Sequence, residues 1–257
     1  MHHCDTKVIG FGRTEPFVLG AGGKIVSVDE AFANKEIPVA FFGVGHTKLH
    51  DIIVSNKLDF YFLDTGYLGN VKTKIYKRIT KNNLNNTQDI IERPSDRLEK
   101  LSIDRTSYSR GNKILIIPPD QKVLNCFGNT LETPSWIQQT IESIKHHTDR
   151  EILVRERNRN RTERMIHDKF SDALQDDVHA CVVWSSNSAV ESVLHNIPVI
   201  SLGPTATTKV SPFDLTQIDN VPNLNQDLVE NWLRHLSYCQ FNEEEMLSGL
   251  AWNFVNQ

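Results

Sequence analysis

Residues Ala180 to Pro204 read ACVVWSSNSAVESVLHNIPVISLGP. The opening ACVVW (Ala180–Trp184) is a short apolar run of the kind that forms a buried strand. Four small polar residues follow, Ser185, Ser186, Asn187 and Ser188, and a helix is expected from Ser186 to His195. PVISL (Pro198–Leu202) then makes a second strand. Strand, helix and strand in this order predict a parallel sheet covered by helices. In open α/β sheets ligands gather beyond the carboxyl ends of the strands. Helix N-termini there offer N–H groups and the positive end of a dipole, which suit phosphate. Ser185 to Ser188 are therefore candidate phosphate contacts. Glu191, one turn into the helix, is placed to accept hydrogen bonds from ribose hydroxyls. The same serines would also serve as plain helix caps and Glu191 as a surface charge, so the segment alone leaves both readings open.

The pattern extends upstream. KILII (Lys113–Ile117) is a buried strand stopped by Pro118-Pro119, and Thr133-Pro134 opens a helix in which Trp136, Ile137, Ile141 and Ile144 share one stripe. Glu151–Val154 is the next strand, and Thr162–Leu174 the next helix, with Met165, Ile166, Phe170 and Leu174 inward. Asn242 and Glu245 stand at capping-box spacing before the last helix. The first hundred residues are less regular. Lys7–Phe11, Pro38–Val44 and Leu58–Leu63 read as strands among glycine-rich turns, while Asn82 to Asn112 is polar and asparagine-rich. A boundary is expected in that polar stretch, giving two lobes, 1–112 and 113–257.

The composition, 39% hydrophobic and 23% charged, is that of a globular protein. No apolar run approaches the roughly 20 residues needed to span a bilayer, and the N-terminus lacks the pattern of a signal peptide. Cys4, Cys126, Cys181 and Cys239 form no CxxC pair, which fits a reducing, cytoplasmic setting. The net charge of −4 is unevenly spread. Lys72, Lys74, Lys77, Arg78 and Lys81 form one basic run, and Arg155, Arg157, Arg159, Arg161 and Arg164 another. Such asymmetry points to a face that meets an anion or to a solvated surface.

Taken in order, Ser185–Ser186–Asn187–Ser188, Glu191, Leu194–His195, Asn196, Pro198–Val199 and Gly203 resemble the donor-binding half of GT-B-fold glycosyltransferases, especially the capsule-polysaccharide and Kdo-transferase type. Asn196 stands where the family usually has glycine, and tolerates the same left-handed cap. The resemblance covers roughly Lys113 to Trp252. It implies two Rossmann-like lobes with parallel sheets, the N-terminal one small and acceptor-binding, the C-terminal one holding a nucleotide-sugar. It also implies a cleft between them, with Arg155, Arg157 and Arg161 meeting the donor phosphates. The N-terminal segments LDFYFLDTGYLGN and KIYKRITKNNLN are similar to short glycosyltransferase-like proteins of tailed phages, in which the acceptor is a hydroxymethylated pyrimidine in DNA. On that reading Asp64, just after a strand, is the general base, and Tyr67, Lys77 and Arg78 meet the acceptor. Asp64 also suits an Asx turn before Gly66.

No third ligand joins His46 and His50, no D-x-D stands at a strand end, and neither a dinucleotide fingerprint, a P-loop nor a G-x-S-x-G elbow is present. The expectation is a metal-independent transferase whose co-substrate is a nucleotide-sugar and which has no other cofactor. Its acceptor is either DNA or a surface saccharide. The alternatives are a sugar-nucleotide 2-epimerase of the same fold, a non-catalytic nucleotide or nucleic-acid binding module, and a structural interaction protein.

Overall fold

The computed structural model describes residues 6–69, 75–101, 103–155 and 170–257. Two compact units divide the chain. The first holds the described residues up to Asn86, 93–101 and 234–257; the second holds 87–92 and the described residues of 103–233.

In the first unit β1 (Ile9–Gly10) leads through a 3-10 turn, Gly12–Thr14, into α1 (Glu15–Gly20). Then come β2 (Lys24–Ile25), α2 (Val28–Ala33), β3 (Val39–Phe42), α3 (Thr47–Ser55), β4 (Phe60–Thr65), β5 (Lys77–Lys81) and α4 (Asp96–Glu99). Strands β1 to β4 are parallel in the order β4-β3-β1-β2, and β5 runs antiparallel beside β4. Helix α2 starts on a full capping box, in which the Ser27 side chain accepts from the Glu30 amide and the Glu30 carboxylate from the Ser27 amide.

The second unit is a four-stranded parallel sheet. It contains β6 (Lys113–Ile117), α5 (Gln121–Cys126), α6 (Thr133–Lys145), β7 (Ile152–Val154), α7 (Phe170–Leu174), β8 (Val178–Val183), α8 (Ser188–Leu194) and β9 (Val199–Ser201), in strand order β7-β6-β8-β9. Ile114, Ile116, Ala180, Val182 and Ile200 form one face of its core, covered by Leu124, Trp136, Ile144, Ile218 and Val221. Each fully buried Val, Ile or Leu contributes about 1.5–3 kcal/mol. The apolar runs KILII and ACVVW become buried strands for that reason. Cys126 and Cys181 are buried, and burial pushes the Cys181 thiol up to about 12.

Helix α9 (Gln226–Tyr238) carries the chain from the second unit back to the first. It is followed by β10 (Gln240–Phe241), α10 (Glu243–Leu247) and α11 (Leu250–Val255). The segment 234–257 thus belongs to the first unit. The last strand pairs antiparallel with β5, Gln240 opposite Arg78 and Phe241 opposite Lys77. The Gln240 side chain both accepts from the Leu68 amide and donates to the Leu68 carbonyl. Phe241, Met246, Ala251 and Trp252 complete a core with Phe17, Val18 and Tyr61. The closing segment thus supplies apolar surface that a small first unit would otherwise lack. Among the described residues no helix is long and apolar enough to cross a membrane.

Candidate functional site

The carboxyl edge of the second sheet is built on β8, whose six residues are all buried. The strand leaves the sheet at Trp184, and Gly203, just past β9, lies against it. A Cβ on Gly203 would come within 2.7 Å of the Trp184 carbonyl and 2.9 Å of its ring, so only glycine lets the two chain segments approach this closely. The indole N–H of Trp184 is buried and has no hydrogen-bond partner among the described residues.

The Ser185–Asn187 turn then enters α8, and here one expectation changes. The Ser186 hydroxyl accepts from the Ser188 amide at 3.1 Å. The amides of Ala189, Val190 and Glu191 are taken by the carbonyls of Ser186 and Asn187. The first-turn N–H groups that were to meet phosphate are therefore satisfied within the turn.

Glu191 faces that edge half-buried, and no hydrogen bond reaches its carboxylate among the described residues. Burial pushes its carboxyl above the usual carboxylate range, His195 and Arg155 pull it back, and Asp104 adds to the rise. Arg155 follows β7, its amide bonded to the Ile116 carbonyl and its guanidinium 4.9 Å from the Phe170 ring centre. The structure thus brings Arg155 and Glu191 into one electrostatic group, with Ser185 to Ser188 on the adjoining turn. Arg157 and Arg161 lie outside the described residues.

His195 was legible only as part of a motif, yet it is fixed in place. It is buried, stacks on Tyr108 with ring centres 4.5 Å apart and planes 8° from parallel, and bonds the Thr106 carbonyl through Nδ1 at 2.8 Å. A carbonyl only accepts, so Nδ1 carries the hydrogen. Thr106, Tyr108 and Asp104 come from the polar stretch that sequence reading treated as a connection. His195 and Thr106 are 89 residues apart, so no local pattern reveals the pairing. Asn196 adopts the left-handed conformation, with φ 64°, that its glycine-like position demands.

In the first unit, Asp64, Tyr67 and Arg78 form one cluster that is largely closed. Asp64 Oδ2 accepts from Arg78 at 3.0 Å and Oδ1 from the Thr65 amide at 2.7 Å. Arg78 is buried, 5.7 Å from the Phe62 ring centre and 5.3 Å from that of Tyr67. Tyr67 is itself buried, its hydroxyl donating to Asn85 and accepting from the Asn86 amide, and burial pushes its pKa far up. Tyr67 and Arg78 were expected to meet an acceptor; they stand in the interior instead, because their polar ends find partners there. Lys77 stays at the edge, its Nζ 5.8 Å from the Phe42 ring centre.

Two other features lie away from this chemistry. His50 packs against Phe41 and Phe60. Among the described residues no three His, Cys, Asp or Glu side chains gather to hold a metal. A cavity of about 600 Å³, lined by Lys113, Lys145, His147, Arg150, Asp177 and Asp219 among others, opens at the amino ends of β6 and β7. That is the edge opposite the one where open α/β sheets bind ligands, so volume alone does not mark the site.

No family model and no curated protein matches the chain. Solved structures do. The Thermosulfurimonas dismutans KpsC, beta Kdo 2,7 transferase, is 11% identical with a TM-score of 0.52, over 97% of this chain and 99% of that one. The beta Kdo 2,4 transferase of KpsC from the same organism is 15% identical with a TM-score of 0.49, over 91% and 92%. At such identities the likeness is one of fold: this chain has the GT-B-like arrangement of two Rossmann-like α/β units with parallel sheets.

Proposed function

We propose that the protein is a glycosyltransferase that binds a nucleotide-sugar at the carboxyl edge of the second sheet and passes the sugar to an acceptor hydroxyl. The observation that carries this reading is Glu191, a half-buried carboxylate with no hydrogen-bond partner among the described residues, beside Arg155 and His195. A group desolvated without an internal partner costs stability unless something outside supplies hydrogen bonds. Perturbed groups of this kind cluster at functional sites. Ribose hydroxyls suit it. Arg155, with the hydroxyls of Ser185, Ser186 and Ser188, would then stabilise the charge left on the departing nucleotide. The neighbour of TM-score 0.52 is a Kdo transferase, and this favours a saccharide over DNA as acceptor.

The reaction needs no covalent help from the chain: the acceptor oxygen bonds to the anomeric carbon, the nucleotide phosphate leaves with its electron pair, and the acceptor proton passes to a base. Asp64 is the sequence's candidate for that base, and in the folded chain it already accepts from Arg78 and Thr65. Calorimetric titration with CMP, UDP and GDP, on wild type and Glu191→Ala, tests the donor site. Binding of at least one nucleotide, weakened in the variant, is expected. Equal affinity in both proteins, or none for any nucleotide, would overturn the reading.

A further inference from the structure

Residues 103–111 form no helix or strand, yet they are stitched to the second unit around the end of α8. The Tyr108 amide bonds the His195 carbonyl at 3.0 Å, the Thr106 carbonyl takes the His195 Nδ1–H at 2.8 Å, and the Tyr108 ring lies flat on the imidazole, 8° from parallel. A helix C-terminus needs its last carbonyls satisfied, and the main-chain bond does that. The other two contacts act on the side chain and fix both the plane of the imidazole and its rotation. Arg105 ties the same stretch to Glu230 at 2.8 Å. Asp104 Oδ1 accepts from the Thr106 amide and hydroxyl at 2.9 and 2.7 Å, which holds its carboxylate within electrostatic reach of His195. Glu191 precedes His195 by one helical turn, the His195 amide bonding the Glu191 carbonyl at 3.2 Å. Side chains at that spacing are neighbours on a helix surface.

From this we infer that His195 is a positioning residue for Glu191, clamped by Thr106 and Tyr108 so that the carboxylate stands ready for ribose hydroxyls. The inference rests on the donor-site reading above and extends it to a stretch distant in sequence. Glutamate is a long, flexible side chain, and ordering it only when the ligand arrives costs affinity. A buried imidazole that cannot turn gives the carboxylate a fixed neighbour on its own helix face. His195 and Arg155 both favour the ionised carboxylate, which is the stronger acceptor, and Asp104 opposes it. The clamp therefore sets the charge around Glu191 as well as its place. Tyr108 is assigned no contact with the ligand; it acts through His195. A plain helix cap would need the main-chain bond alone and would leave nucleotide selectivity indifferent to the Tyr108 ring.

The test is calorimetric titration of the full chain with whichever of CMP, UDP and GDP binds it, and with the 2′-deoxy and 3′-deoxy forms of that nucleotide. Wild type should prefer the ribo form over at least one deoxy form by about tenfold, the size of one hydrogen bond to a charged group. Glu191→Ala should erase that preference. Tyr108→Ala and His195→Leu should shrink it about fivefold, the range of one aromatic pair, whereas Tyr108→Phe keeps the stack and the preference. Tyr108→Ala combined with Glu191→Ala should lose no more selectivity than Glu191→Ala alone, since the two act through one contact. A full wild-type preference in either Tyr108→Ala or His195→Leu would overturn the inference, whatever the change in melting temperature. Equal losses of affinity for ribo and deoxy forms would overturn it too. Should His195→Leu fail to fold, the Tyr108 pair decides alone. Failure of the donor-site reading looks different: no nucleotide binds, or Glu191→Ala keeps both affinity and preference, and the two inferences fall together.

Discussion

Asp64 and Glu191 are both carboxylates at the carboxyl edge of a Rossmann-like sheet, each on a segment that sequence reading marked for chemistry. Their surroundings differ. Both Asp64 oxygens are engaged, one by the buried Arg78 and one by the Thr65 amide, and Arg78 is packed against Phe62 and Tyr67. Glu191 is half-buried with no hydrogen bond among the described residues, and its proton is held more tightly than usual because burial penalises the charge. A polar group satisfied from within is part of the architecture; one desolvated and left without a partner keeps its hydrogen-bonding capacity for a ligand. Mutations should therefore move stability in the first unit and binding in the second.

The largest effect is expected from Arg78→Ala. It removes a buried guanidinium from its carboxylate and from two aromatic rings, and should cost about 2–3 kcal/mol of unfolding free energy, discounted from a fully buried pair because Asp64 retains some solvent contact. Urea denaturation followed by fluorescence would show it. A loss below about 0.5 kcal/mol would mean that the cluster is not structural. Glu191→Ala is the mirror case. Stability should stay level or rise slightly, while nucleotide affinity falls by about 1.5–3 kcal/mol, the value of hydrogen bonds to a charged group. A destabilised variant with normal affinity would reverse the comparison.

Asp64→Asn comes next. The amide cannot balance Arg78, so a stability loss of about 1–2 kcal/mol is expected, with turnover per folded molecule close to wild type. A general base contributes about 10²–10⁴-fold in rate. A loss of turnover in that range, measured on the same preparation, would restore Asp64 to catalysis.

Legibility followed the same divide. In the second unit β6 and β8 are built on the apolar runs ILII and ACVV, and their burial leaves few ways to misplace them: Lys113–Ile117 is observed as read. The Asn196 cap and the Asn242–Glu245 capping box are local, and both were visible. In the first unit α1 and α2 went unread among glycines, although Ser27 and Glu30 stand at capping-box spacing. Strand β5, KRITK, reads in sequence only as part of a basic run, solvated or facing an anion, because its alternation is masked by charge; Arg78 is buried through a partner that sequence spacing does not reveal. The pairing of Gln240 and Phe241 with β5 joins segments more than 150 residues apart and leaves no local trace. The candidate site is readable in sequence where one segment builds it, at Ser185 to Glu191, and not where distant chain adjoins it, at Thr106, Tyr108 and Asp104.

The smallest predicted effect concerns pH. Because burial raises the Glu191 carboxyl above its unfolded value, the native chain holds this proton over a pH window in which the unfolded chain has released it. In that window stability falls as pH rises, since the unfolded state binds fewer protons. Its contribution is thus fully present below the unfolded carboxylate range and lost as pH rises through the folded value. Other carboxylates behave oppositely: Asp59 is lowered by its hydrogen bond from Asn82, and Asp219 by that from Thr148, so each gives stability that is lost in acid. Glu191→Gln keeps the shape and removes the titration. The difference in unfolding free energy between variant and wild type should therefore grow from the acid side of the window to the neutral side, in favour of the variant. Adding a nucleotide that binds wild type should shrink that gap, because the ionised Glu191 then has partners for its charge. A gap independent of pH, or one of opposite slope, would mean that Glu191 is solvated like any surface carboxylate and would remove the contrast with Asp64.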